Sequence, residues 1–133
     1  MKKCVVIGVT GGIAVYKALD IISALKKKDI DVRVIMTDSA TKFINPITFQ
    51  SLSNNAVAVD TFQEIKVHEI QHISLAQRAD LMLIAPATAN IIGKVANGIA
   101  DDMLSTTIMA CKSKVIFAPA MNTNMYENRI VQE

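Results

Sequence analysis

The sequence predicts an α/β fold in which a parallel sheet is wrapped by helices. Apolar runs such as residues 4–9 and 81–85 show no alternation with polar residues, the pattern of strands buried on both faces. Segments of helical period separate those runs, and short Gly-, Ser/Thr-, Asn- or Pro-rich breaks join them. The resulting order, strand then helix and repeated, is that of a parallel α/β sheet.

Taken along the chain, residues 4–9 form the first strand and Thr10-Gly11-Gly12 break it. A helix fits residues 14–28, where Ala18, Ile21, Ile22 and Leu25 fall at i, i+3, i+4 and i+7. Lys26, Lys27 and Lys28 close it, as cations that complement a helix C-terminus. After the turn at Asp29-Ile30-Asp31, residues 32–36 are a second strand that ends at Thr37-Asp38-Ser39. Asn45-Pro46 breaks or restarts a helix between residues 40 and 53. Residues 56–59 make a short third strand, and 64–79 are polar with a loose helical pattern. A further apolar strand at 81–85 is closed by Pro86. Two helices, 89–96 and 102–111, flank Asn97-Gly98, with Asp101-Asp102 as an N-cap and its neighbour or, alternatively, as residues that shape a ligand pocket. The last strand, 115–118, is closed by Pro119, and a helix begins at Asn124.

Length and composition agree with a single domain over residues 1–133. Apolar residues make up 51% and charged ones 20%, which excludes a disordered or low-complexity chain. A chain of this size buries roughly two-thirds of its unfolded surface and needs no disulfide or metal staple. The net charge of +2 gives no basis for a nucleic-acid or anionic-membrane partner. No apolar stretch approaches the ~20 residues of a membrane span, and the start of the chain reads as a strand, not a signal peptide. Cys4 and Cys111 form no CxxC pair, so two ordinary thiols in a reducing, cytoplasmic compartment are expected.

In such a sheet ligands bind beyond the carboxyl ends of the strands. The segments there are 10–13, 37–39, 86–90 and 119–122, all rich in small residues, hydroxyls or amides. None carries Lys or Arg, so an anion would be held by backbone N–H groups and helix N-termini. The turn Gly8-Val9-Thr10-Gly11-Gly12-Ile13-Ala14 is neither GxGxxG nor a P-loop. Asp38, at the end of the second strand, is where a dinucleotide fold places its ribose-binding acid, which keeps a nicotinamide dehydrogenase in view. His68 and His72 stand at i, i+4, but no further Cys or His completes a metal site and none is expected. Met121 and Met125, in an Asn-rich turn, suit the lining of a flat apolar ligand.

Four motifs in order resemble one family. They are Gly11-Gly12-Ile13-Ala14-Val15-Tyr16-Lys17, His72-Ile73-Ser74-Leu75-Ala76, Ala85-Pro86-Ala87-Thr88-Ala89-Asn90 and Pro119-Ala120-Met121-Asn122-Thr123-Asn124-Met125-Tyr126. They are similar to the glycine turn, histidine motif, PASANT motif and PxMNxxMW motif of the homo-oligomeric flavin-containing cysteine decarboxylases. Thr88 stands for Ser, Ile91 for Thr and Tyr126 for Trp.

The resemblance implies a three-layer α/β/α Rossmann-like flavoprotein fold, bound FMN, and a trimer or a dodecamer built from trimers. It places FMN contacts on Gly11, Gly12, Ile13, Thr37, Ser39, Thr88, Ala89, Asn90 and Ala120. His72 is implied as the active-site histidine and Asn122 as the holder of the substrate carboxylate. The implied reaction converts 4′-phosphopantothenoylcysteine to 4′-phosphopantetheine in coenzyme A biosynthesis. Oxidising the thiol to a thioaldehyde puts C=S β to the carboxylate, carbon dioxide leaves, and reduced flavin returns the electrons. A peptidyl-cysteine decarboxylase, a flavin prenyltransferase and a non-catalytic FMN-binding fragment are the alternatives. Family members carry a further flap with a proton-donating cysteine, and the bifunctional ones a ligase domain. The sequence is expected to lack both.

Overall fold

The computed structural model describes residues 2–59 and 75–120. Its centre is a five-stranded, all-parallel sheet: β1 (Cys4–Val9), β2 (Asp31–Met36), β3 (Ala58–Val59), β4 (Leu81–Ala87) and β5 (Lys114–Pro119), in the order β3-β2-β1-β4-β5. Every residue of β1 is buried. Alternation along that strand sends Cys4 and Val6 into one core and Val5, Ile7 and Val9 into another.

Helices cover both faces and make three layers. On one side α1 (Lys17–Lys27) and α3 (Pro46–Ser53) bring Ala18, Ile22 and Phe49 onto Val32, Val34 and Met36. On the other, α4 (Ala89–Ala96) and α5 (Met103–Ala110) bring Ile91, Leu104 and Ile108 onto Val6, Met82 and Ile84. Gly8 sits where α5 meets the sheet. A Cβ there would stand 2.5 Å from Leu104 Cδ1 and 2.9 Å from Ile84 Cδ1, too close for any real contact.

Chain order fixes where a ligand belongs. From β1 the chain steps outward to β2 and β3, returns past β1 to β4, and continues to β5. The reversal lies between β1 and β4, so the crevice beyond their carboxyl ends is the favoured site.

Several expectations need correction. The first helix begins as a 3-10 turn, Ile13–Tyr16, before α1 proper, because the chain leaves Gly12 at φ +146° and must tighten to turn onto the sheet. The helix between residues 40 and 53 is two helices, α2 (Asp38–Thr41) and α3. Asn45 accepts from the Ile47 amide and Pro46 occupies the first turn, so the dipeptide starts α3. Pro86 does not close β4, which runs on to Ala87 across a cis Ala85–Pro86 bond with a register irregularity against β5. β5 is not buried on both faces: none of its residues is fully buried, as befits a strand at the sheet edge. The strand expected at 56–59 is only Ala58–Val59. The C-terminal helix and most of the segment 64–79 lie outside the described residues, of which 75–78 are helical. No helix among the described residues is long and apolar enough to cross a membrane.

Candidate cofactor site

The loops after β1, β2 and β4 are stitched side by side across the carboxyl edge of the sheet. Thr37 N donates to Val9 O at 3.0 Å, and Ala120 N donates to Ala87 O at 3.0 Å. Between them Thr10 joins the first loop to the third. Its hydroxyl donates to Pro86 O at 2.5 Å and accepts from Thr88 N at 3.1 Å, and the side chain is buried. The chain returns 76 residues later to complete this bond, so it fixes the two loops that border the sheet reversal.

These loops enclose a cavity of about 430 Å³, within the range of small-molecule sites. Gly11, Gly12, Thr37, Ser39, Thr88 and Asn90 line it, with Phe43 and Ile91 as apolar walls. The two glycines are needed for different reasons, one for space and one for backbone conformation. A Cβ on Gly11 would stand 2.7 Å from Ser39 Cβ, so only glycine lets the first loop lie against α2. Gly12 takes a positive φ that side chains avoid, and nothing lies within 4 Å of where its Cβ would be. The main chain there is open to close approach by a ligand.

Thr37 and Thr88 each cap a helix. Thr37 Oγ1 accepts from Ala40 N at 3.2 Å, and Thr88 Oγ1 from Ile91 N at 3.4 Å. A hydroxyl that accepts from a backbone amide still has its own proton to give. Neutral donors and apolar walls in one hollow suit a flat ring carrying an anionic tail.

The Flavoprotein family matches residues 1–133. The chain belongs to this family. It is 53% identical over 128 residues to the coenzyme A biosynthesis bifunctional protein CoaBC of Bacillus subtilis, covering 96% of this chain and 32% of that protein. The chain thus spans about a third of the length of that relative. It is 45% identical over 134 residues to a probable phosphopantothenoylcysteine decarboxylase of Streptococcus mutans, covering 99% of this chain and 75% of that protein. Among solved structures, the FMN-dependent cysteine decarboxylase SpaF superposes with a TM-score of 0.85 at 29% identity, covering 98% of this chain and 75% of that one. The Rossmann-like α/β/α fold expected of a flavoprotein is the one found, and the nicotinamide reading attached to Asp38 gives way, although Asp38 does line the cavity.

Of the residues expected to hold flavin, Gly11, Gly12, Thr37, Ser39, Thr88 and Asn90 meet in the one cavity. Ile13 lies largely exposed beside it, Ala89 begins α4, and Ala120 is tied to Ala87 without lining it. His72 and Asn122 lie outside the described residues, as do His68, Met121 and Met125.

One charged residue of the cavity, Lys94, was not among those expected, whereas Asp102 takes up the pocket-shaping role weighed for it beside its cap. Lys94 lines the cavity although it stands in the last turn of α4, and Asp102 lines it from the cap of α5. Side chains on a helix lean toward its N-terminus, so Lys94 returns over Asn90 and Ile91 to the rim. Its ammonium lies 2.9 Å from Asp101 Oδ1 and 3.2 Å from Asp102 Oδ2. Asp102 also closes a capping box, accepting from Ser105 N at 2.7 Å and Ser105 Oγ at 2.6 Å.

Burial pushes the Asp102 carboxyl up, but the Ser105 hydroxyl and amide and the Lys94 charge outweigh it and hold the group below the usual range. Burial likewise pulls Lys94 down, and the two aspartates reverse this and keep it firmly protonated. Cys4 behaves as an inert core thiol: burial, then the Asp31 charge, pushes it up.

Proposed function

We propose that this chain binds FMN at the β1/β4 crevice and decarboxylates 4′-phosphopantothenoylcysteine to 4′-phosphopantetheine in coenzyme A biosynthesis. The observation that carries this reading is the convergence of the glycine turn, the Thr37-Asp38-Ser39 turn and the PASANT-like turn on one cavity at the sheet reversal. The names borne by the relatives from Bacillus subtilis and Streptococcus mutans support the substrate, and the FMN dependence of SpaF supports the cofactor.

A bound FMN supplies a two-electron acceptor for the cysteine thiol. The residues of the chain position it. Gly11 and Gly12 let the main chain approach the cofactor, and the hydroxyls of Thr37, Ser39 and Thr88 donate to its polar tail while Ile13, Ala89, Asn90 and Ala120 complete its surroundings. Phe43 and Ile91 would give a bound flavin an apolar wall. His72 orients the reacting group or moves a proton, and Asn122 holds the substrate carboxylate, both assigned on likeness of motif. The working protein is a cytoplasmic homo-oligomer built from trimers, with residues 1–133 as its flavoprotein domain.

Purified protein is expected to be yellow and to release FMN on denaturation. With phosphopantothenoylcysteine it is expected to give a product lighter by carbon dioxide, detected by mass spectrometry. Substitution His72→Asn should abolish that product while leaving FMN bound. Decarboxylation at the parent rate in that variant would remove His72 from the chemistry, and flavin binding without any product would leave a passive binder.

A further inference from the structure

The cavity contains a cation whose hydrogen-bonding capacity is not fully used. An ammonium carries three N–H donors. Asp101 and Asp102 take two of those of Lys94, at 2.9 and 3.2 Å, which leaves one on a side chain that lines the hollow. The two carboxylates differ. Asp102 is largely buried and saturated by Ser105 and Lys94, whereas Asp101 is mostly exposed. The ammonium is therefore anchored by a fixed partner and only loosely held by the second, which solvent screens.

We propose that Lys94 is a phosphate-binding residue of this cavity, presenting its remaining N–H to a phosphate oxygen and yielding contact with Asp101 as that oxygen arrives. The inference rests on the flavin reading of the site. The surrounding charges make the assignment specific. Asp38 and Asp102 share the lining with Lys94, so the lysine is the one cation among the lining side chains and halves the negative charge that a phosphate would otherwise meet there. The neutral donors of Thr37, Ser39 and Thr88 orient an anion but do not offset that charge. Burial by itself would favour a neutral amine, and the aspartates keep it charged before any ligand arrives.

Two phosphates suit this chemistry, that of the cofactor and that of the substrate, and matched ligand pairs separate them. Binding of FMN and riboflavin is measured by flavin fluorescence on the wild-type protein and on Lys94→Met. Binding of 4′-phosphopantetheine and pantetheine to the FMN-loaded proteins is measured by calorimetry. A charge-assisted hydrogen bond of this kind corresponds to roughly tenfold to a hundredfold in affinity. Loss of that size for FMN with riboflavin unchanged assigns the cofactor phosphate. Loss for phosphopantetheine alone assigns the substrate phosphate.

Equal losses within a pair, or none in either pair, overturn the role of Lys94. A wild-type protein that binds neither flavin overturns the flavin reading itself. Should Lys94→Met fail to fold, Asp101→Asn decides. It keeps the lysine and the Asp102 cap while removing a competing negative charge, so it is expected to tighten binding of one phosphorylated ligand several-fold. Unchanged or weaker binding of both overturns the proposal.

Discussion

The two ends of the sheet use similar residues to opposite effect. At the amino end polar groups are consumed by one another. Asp80 Oδ2 accepts from Cys4 N at 2.7 Å, and Asp31 accepts from Asn55 Nδ2 at 3.1 Å and Arg33 Nε at 3.3 Å. Asn55 also donates to Val32 O at 2.7 Å and to Ser53 O at 3.2 Å. At the carboxyl end the hydroxyls of Thr37 and Thr88 accept from backbone amides and Lys94 pairs with two aspartates, and each still has a donor left over. The difference teaches that a binding edge is recognised less by its residue types than by hydrogen-bonding capacity left unspent after folding.

The sharpest way to break this comparison is at Thr10, where structure and binding meet. Thr10→Val removes both side-chain bonds and orphans the partly buried Thr88 amide, at a cost of about 1–3 kcal/mol. FMN affinity should fall at least tenfold with it, because the two loops that border the crevice lose their tie; denaturant unfolding and flavin titration on one sample check both. A smaller effect is expected from Asn55→Ala at the amino end, about 1–2 kcal/mol of stability, with FMN affinity unchanged. Altered flavin binding in that variant would mean that the two ends are not independent.

Acid gives the mildest test. Asp31 at one end and Asp102 at the other are both held below the ordinary carboxylate value. In each, burial pushes upward and is outweighed, for Asp31 by its bond from Asn55 and the Arg33 charge, and for Asp102 by Ser105 and Lys94. A carboxyl depressed in the folded state binds fewer protons there than when unfolded. Its contribution is therefore complete above the unfolded value of ~4 and is lost as pH falls through the folded one. Thermal unfolding should be flat from about pH 7 to 5 and weaken below about pH 4. Asp102→Asn, which keeps an N-cap side chain but not the charge, should flatten part of that slope.

Much of this was readable from the residues. The buried runs at 4–9 and 81–85 announced a parallel sheet, and the loops after three strands proved to share one hollow. What escaped reading did so for physical reasons. Pro86 usually ends a strand, but here its carbonyl is the acceptor for Thr10 and the strand continues one residue further. The strand at 114–119 has the apolar look of its neighbours, and only the strand order reveals it as an edge. Lys94 was invisible because a search of residues directly following strands cannot see one that leans back from inside a helix. Thr10 showed no motif of its own, since its partner lies 76 residues away.

Gly8 lines no cavity, yet it acts as a spacer for one. By carrying no side chain it lets Leu104 and the start of its helix settle onto the sheet, which brings the adjoining Asp102 to the rim. A single added methyl at that strand position would crowd the ends of Leu104 and Ile84, which would have to move aside in a packed core. The seat of the helix that presents Asp102 is thus prepared from inside the core, by an atom that is missing.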